Sequence, residues 1–189
     1  MEKSVVFPLY FLPSFNYVQL LSKYNSVYIN INEPFVKQSY RNRFEIMGSN
    51  KREILSIPLQ KGKTLLKTKD VRISYDENWQ KKHWQAIISA YKNAPFFEYY
   101  DYHLAPLFMV KETYLWEYNY QLLLKCLTLL HIDTKIIFIE DILPNTHQMI
   151  ENINPLHYEQ VFSDRLGFMQ NLSIIDWLFN QGNVAHSVL

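Results

Sequence analysis

"SVVFPLYFLPSFNYVQLLSKYNSVYINI", residues 4–31, decides how the chain is read. Val5, Val6 and Phe7 form a short run of strand-forming residues. Ser14 follows Pro13 and precedes apolar residues at 17, 18, 20, 21 and 24, so 14–24 reads as a helix with Ser14 as its N-cap. Residues 26–31 read as a second strand. Strand, helix and strand within about thirty residues make one βαβ unit. Such units build parallel sheets covered by helices. The expected fold is therefore α/β: a mostly parallel sheet with helices on both faces, a Rossmann-like start and a helical C-terminal half.

Outward from that unit, 53–59 and 134–140 read as further strands, and 61–70 as a basic turn leading to a strand at 71–74. Residues 77–131 are mainly helical in pattern, with breaks at Pro95 and Pro106. From 155 onward there are two short helical patterns. No repeat, low-complexity tract or linker divides the chain, so residues 1–189 are expected to form a single domain.

The 189 residues are 48% hydrophobic and 16% aromatic, enough for a sizeable core with much tyrosine at half-buried positions. Net charge is +1, from 19 basic and 18 acidic side chains. A dedicated nucleic-acid binder carries a stronger basic excess, so nucleic acid is not an expected partner. The one cysteine, Cys126, lies in an apolar run and reads as a buried core thiol. The apolar N-terminus carries Glu2, Pro8 and Pro13, which argue against a signal peptide. No run reaches the roughly 18 apolar residues of a membrane span. A cytoplasmic protein is expected.

Familiar catalytic motifs fail here. "GKT" at 62–64 lacks the glycine a phosphate loop needs five positions earlier, where Ile57 stands. With four glycines in the chain and no G-x-G-x-x-G, a bound phosphate would rest on basic side chains or helix N-termini. The six histidines form no H-E-x-x-H, and no metal site is expected. The cofactor is left unassigned.

Three stretches carry chemistry. "VKQSYRNRF", 36–44, gathers Lys37, Arg41 and Arg43 around Tyr40 and Asn42 with no acid among them. It is either a solvated basic loop or the floor of an anion site. In the helix expected from about 77 to 92, capped by Asp76, a stripe of Trp84, Ile87, Ile88 and Tyr91 reads as the core face. Lys81, Lys82, Gln85, Ser89 and Lys92 form the solvent face. Trp79, His83, Ala86 and Ala90 form a third face. His83 is either a packed histidine under Trp79 or a proton-transfer group in a groove. The tail helix, 167–182, is apolar nearly all round but for a stripe of Ser173, Asp176 and Asn180. Asn171 and Gly182 are its expected caps. A buried Asp176 needs a partner. It either ties the tail to a loop, with Arg41 or Arg43 as candidate partners, or walls an active site.

These same stretches resemble the WbqC-like proteins, a bacterial family associated with surface-polysaccharide and O-antigen gene clusters. The marks are "YFLPS" at 10–14, "VKQSYRNR" at 36–43, "LSIPL" at 55–59, "NWQKKHWQAI" at 78–87 and "YKNAPFFEYY" at 91–100. "YEQVF" at 158–162 and "NLSIIDWLFNQG" at 171–182 extend the likeness nearly to the end. The resemblance implies a cytoplasmic α/β protein that modifies, or transfers a group onto, activated sugars. Many members carry a His-Gln-Pro-Asn-Tyr-Leu-Pro type turn after the first strand. Here Phe7 and Pro8 replace the His and Gln, Tyr10 replaces the Asn, and only Leu12 and Pro13 keep the pattern.

The expected function is thus a transferase using an anionic activated donor such as a nucleotide sugar. Lys37, Tyr40, Arg41, Asn42, Arg43, Trp79, Ser173 and Asn180 are the candidate ligand contacts. His83 is the candidate acid or base, and Asp176 an orienting group. The alternative is a non-catalytic family member that binds a sugar nucleotide or a partner enzyme. Nucleic-acid binding through the basic stretch 61–69 is the weakest reading.

Overall fold

The computed structural model describes residues 5–62, 66–139, 153–154 and 156–183. The opening stretch folds as expected. β1 (Val6–Phe7), α1 (Phe15–Leu21) and β2 (Ser26–Asn30) follow in order, and β1 pairs with β2 in parallel. The Ser14 hydroxyl caps α1 by accepting from the Tyr17 N–H. β5 (Lys135–Ile139) joins the far side of β2, also parallel, giving the order β1-β2-β5. Residue 140, the last of the expected strand, lies outside the described residues.

Val27 and Ile29 of the central strand are fully buried, as period-two alternation on a packed face requires. Phe7, Ile29 and Phe138 are in register across the sheet. Helix α1 meets this row through Tyr17, whose ring lies 5.2 Å from Phe7. Helix α4 (Leu115–Leu129) meets it through Trp116 and Tyr120, at 5.4 and 4.9 Å from Phe138. Cys126 is buried on α4, and burial pushes its thiol up to about 12, so it is an inert core group.

A second, antiparallel pair stands beside the parallel sheet. β3 (Arg43–Met47) pairs with β4 (Arg52–Ser56). β3 is not expected from the sequence, where Arg43 and Phe44 belong to the basic stretch and only the second strand of the pair is signalled. Phe44, Ile46 and Met47 are buried, whereas their partner strand is half open, with Ile54 at 55% exposure. The expected strand at 71–74 is reduced to isolated bridges, Leu59 with Ile73 and Arg72 with Tyr114.

The helical run divides where proline requires. α2 (Trp79–Tyr91) ends before Pro95, and α3 (Phe97–Leu104) tightens into a 3-10 turn at Ala105–Met109, which contains Pro106. α2 starts at Asn78, whose side chain caps the Lys81 N–H, and not at Asp76, which is engaged by the Ser74 hydroxyl. The short α5 (Ser163–Leu166) and α6 (Ile174–Gln181) supply the two helical patterns of the tail.

The tail is sewn between the first loop and β3. The Ser173 N–H donates to Glu45 O, its hydroxyl to Leu12 O, and the Ile174 N–H to Pro13 O. Asn171 does not cap α6; it takes a left-handed φ of 59° just before it. Gly182 does end the helix, at φ 71° and ψ −151°, a region open in practice to glycine alone.

Candidate functional site

The expected site residues separate into three places. The first is a cleft of about 380 Å³ between the 35–42 loop and the 57–62 segment. Lys37, Gln38 and Asn42 line one side, and Gln60 and Lys61 the other. Phe35, Leu59, Leu66 and Val71 give it an apolar floor, and none of the described residues that line it is acidic. Lys37 and Lys61 are exposed and make no ion pair among the described residues. Lys63–Leu65, with most of the GKT stretch, lie outside the described residues.

The backbone around this cleft is fixed tightly. The Asn42 side chain donates to Ile57 O, and the Ile57 N–H donates back to Asn42 O at 2.9 Å. Asn42 Oδ1 is buried without a partner among the described residues. Gln38 takes a left-handed φ of 56°, and its carbonyl accepts from Arg43 Nη1 at 3.5 Å. A non-glycine residue in that region stores strain of the kind that collects at binding loops.

Arg41 does not face the cleft as a free cation. It is 3% exposed and its guanidinium grips Glu33 through both Nε and Nη2, at 3.1 and 2.5 Å. Its carbonyl accepts from Asn119 Nδ2 at 2.7 Å. The acid that balances the basic stretch therefore lies just upstream of it, where a search within 36–44 does not reach. Tyr40 packs its ring on Tyr10 at 5.7 Å. Neither Arg41 nor Arg43 pairs with Asp176.

The second place is a recess of about 310 Å³ on the other side of Ile57. Ser56, Pro58, Glu77, Trp79, Lys82 and His83 line it. The face of α2 carrying Trp79, His83 and Ala90 is buried, together with Ile87 and Tyr91, whereas Ile88 is 37% exposed. The core stripe is thus rotated toward Trp79 relative to the sequence reading, because Phe11 and Phe44 pack there against His83 at 6.1 and 6.0 Å. Burial lowers the His83 pKa to about 4, opposed only by the Ser56 carbonyl. The imidazole is neutral at pH 7. Its Nδ1 and the indole N–H of Trp79, on rings 5.1 Å apart, have no hydrogen-bond partner among the described residues.

The third place is the interior around Asp176, which is fully buried. Its Oδ1 accepts from the Tyr91 hydroxyl at 2.7 Å, and its Oδ2 from the Tyr158 hydroxyl at 2.6 Å and Gln160 Nε2 at 3.0 Å. Burial raises the carboxyl pKa against these donors, and it raises both phenols. Asn180 donates to the Asp176 carbonyl within the helix. Ser173, Asp176 and Asn180 line neither the cleft nor the recess. Of the two sequence readings of Asp176, the tie to a loop matches its contacts: a tyrosine and an amide from 158–160 hold it, in place of an arginine.

Gln38, Gln60 and Lys61 were absent from the sequence candidates. Lys61 carried a signal, the basic "KGK" turn, but the two glutamines carried none, since nothing in the pattern brings 38 beside 60.

An α/β chain with these stretches in these positions is defined by its family. Residues 9–154 match the WbqC-like protein family, and the chain belongs to it. The tail stretches at 158–162 and 171–182 lie beyond the matched residues. No curated protein and no solved structure gives a match. Among the described residues no helix is long and apolar enough to cross a membrane.

Proposed function

We propose that this chain is a cytoplasmic transferase, acting as one domain over 1–189, that uses an activated sugar or related anionic donor in bacterial surface-polysaccharide biosynthesis. One observation carries the reading: a cleft with two lysines and, among the described residues, no acid lining it or paired with them adjoins, through Ile57, a recess holding a buried neutral imidazole. Lys37 and Lys61 neutralise the donor's phosphate, and the amides of Gln38, Asn42 and Gln60 orient it. The apolar floor from Phe35 to Val71 takes the less polar part of the donor. Arg41, Asn42, Arg43 and Tyr40 shape the loop, while Ser173, Asp176 and Asn180 hold the tail in place.

In the reaction, an acceptor hydroxyl or amine attacks the activated atom and the bond to the leaving phosphate breaks. The acceptor's proton passes to His83, and the phosphate stays with the lysines. A nearby anion raises the proton affinity of His83, which burial alone keeps low. Removal of a general base costs about 10²–10⁴ in rate. His83→Gln is expected to lose turnover by that factor while still binding donor; unchanged turnover rules out the proton-transfer role.

A second reading has its own observation. Phe7 and Tyr10, which replace the polar residues of the family turn, are buried and packed on Tyr17. A phenyl ring and a phenol stand there in place of an imidazole and an amide, which supports a non-catalytic member that binds a sugar nucleotide or a partner enzyme. Tight donor binding with no turnover by the wild-type chain is the outcome that selects it.

A further inference from the structure

A third and larger cavity, about 620 Å³, runs along the N-terminal half of α2. It adjoins the His83 recess, since Glu77 lines both. Trp84 is half-buried in its wall, its ring resting on Phe108 at 5.2 Å and Phe97 at 6.5 Å. Tyr75 is fixed opposite by its hydroxyl, which donates to Glu112 O at 2.9 Å, and Lys111 lies over its ring.

The polar lining differs from that of the basic cleft. Asp76 and Glu77 stand among Lys81 and Lys111, with Glu77 also held by Lys82 at 2.7 Å, so unlike the cleft the groove is lined by charges of both signs. Lys81 and Gln85 stand one turn apart on the exposed face of α2 and flank Trp84. Neither makes a side-chain hydrogen bond among the described residues. Carboxylates accept, ammonium groups donate, and amides do both. A neutral molecule rich in hydroxyls, each donor and acceptor at once, with an apolar C–H face for the indole, matches this set. A nucleotide would match the aromatic ring, but its phosphates would meet the carboxylates of Asp76 and Glu77.

We infer that this groove binds a saccharide, stacked on Trp84 and hydrogen-bonded by Gln85 and Lys81. Its binding stands independently; its role as the acceptor, with a hydroxyl presented past Glu77 toward His83, rests on the transferase reading.

Saturation-transfer NMR on the full chain tests it, with the methyl glycosides of a neutral hexose and of an N-acetylhexosamine as probes at millimolar concentration. Saturation is expected at the ring C–H protons of at least one probe, with at least a several-fold loss in Trp84→Ala and in Gln85→Ala. Lys61→Ala is expected to bind the probe as wild type does while losing the anionic donor, which keeps the two sites distinguishable. No saturation of either probe by the wild-type chain overturns the inference. So does an unchanged signal in Gln85→Ala, an exposed change that leaves the fold intact even where Trp84→Ala does not fold.

Discussion

The Tyr91 hydroxyl joins three elements at one atom: it donates to Asp176 Oδ1 on α6 at 2.7 Å and accepts from the Met47 N–H at the end of β3 at 3.1 Å. Tyr91→Phe keeps the ring on Phe179, 5.1 Å away, and leaves a buried N–H and part of a carboxylate unpartnered. A buried group left without its partner costs about 1–3 kcal/mol. Urea unfolding of Tyr91→Phe is expected to show a loss of that size, and a loss below about 0.5 kcal/mol would mean the hydroxyl is not a structural junction.

The stability profile in acid carries two opposed slopes. His83 has its pKa lowered from 6.5 to about 4, so the folded state binds fewer protons and stability falls as pH drops from 6.5 toward 4. At roughly 1.4 kcal/mol per unit this is on the order of 3 kcal/mol. Asp176 is raised from 3.8, so its contribution is full below that value and declines as pH rises through the folded pKa. Denaturation of wild type and His83→Gln across pH 4–7 separates them. The difference between the two proteins is expected to change by a few kcal/mol across that window, and parallel profiles would show that His83 titrates normally.

Arg41 and Lys37 sit four residues apart and are expected to behave oppositely. The side chains of Arg41 and Glu33 are 4% and 16% exposed, so Arg41→Ala leaves a largely buried carboxylate unpaired, at a cost of about 3–5 kcal/mol. Lys37→Ala, on an exposed loop, is expected to change stability by less than about 0.5 kcal/mol. Thermal unfolding of both variants checks the contrast. Equal and small effects would mean that the Glu33 pair contributes little to the fold.

Gly182 closes α6 in a backbone region that side chains avoid, and a Cβ there would meet the Phe96 ring at 3.1 Å. Gly182→Ala is expected to cost on the order of 1–3 kcal/mol. A variant as stable as wild type would show that the C-terminal turn relaxes freely.

Local signals were legible and long-range ones were not. The Ser14 cap, the breaks at Pro95 and Pro106 and the parallel βαβ start follow from residues within one or two turns of each other. β3 escaped notice because its charged positions, Arg43 and Glu45, alternate with apolar ones in a stretch dominated by the basic cluster. The partners of Asp176 were out of reach for a different reason. Tyr91 lies 85 residues away, and tyrosines carry no charge that would advertise them as counterparts to a carboxylate. For the same reason Asp176 is only a candidate partner for the basic cluster in the sequence, where charge suggests charge, whereas in the structure Arg41 pairs with the nearer Glu33 and Asp176 with hydroxyls.

Lys37 and Lys61 are proposed to face an anionic donor across the cleft. Thermal unfolding with a panel of nucleotide sugars measures this directly in wild type and in the Lys37→Ala/Lys61→Ala double variant. A ligand at roughly 100-fold over its Kd stabilises by about 2.7 kcal/mol. Such a shift is expected in wild type with at least one anionic donor, reduced by added salt and lost in the double variant, whose unliganded stability stays within about 0.5 kcal/mol of wild type. No shift with any anionic donor, or an equal shift in both proteins, would contradict it.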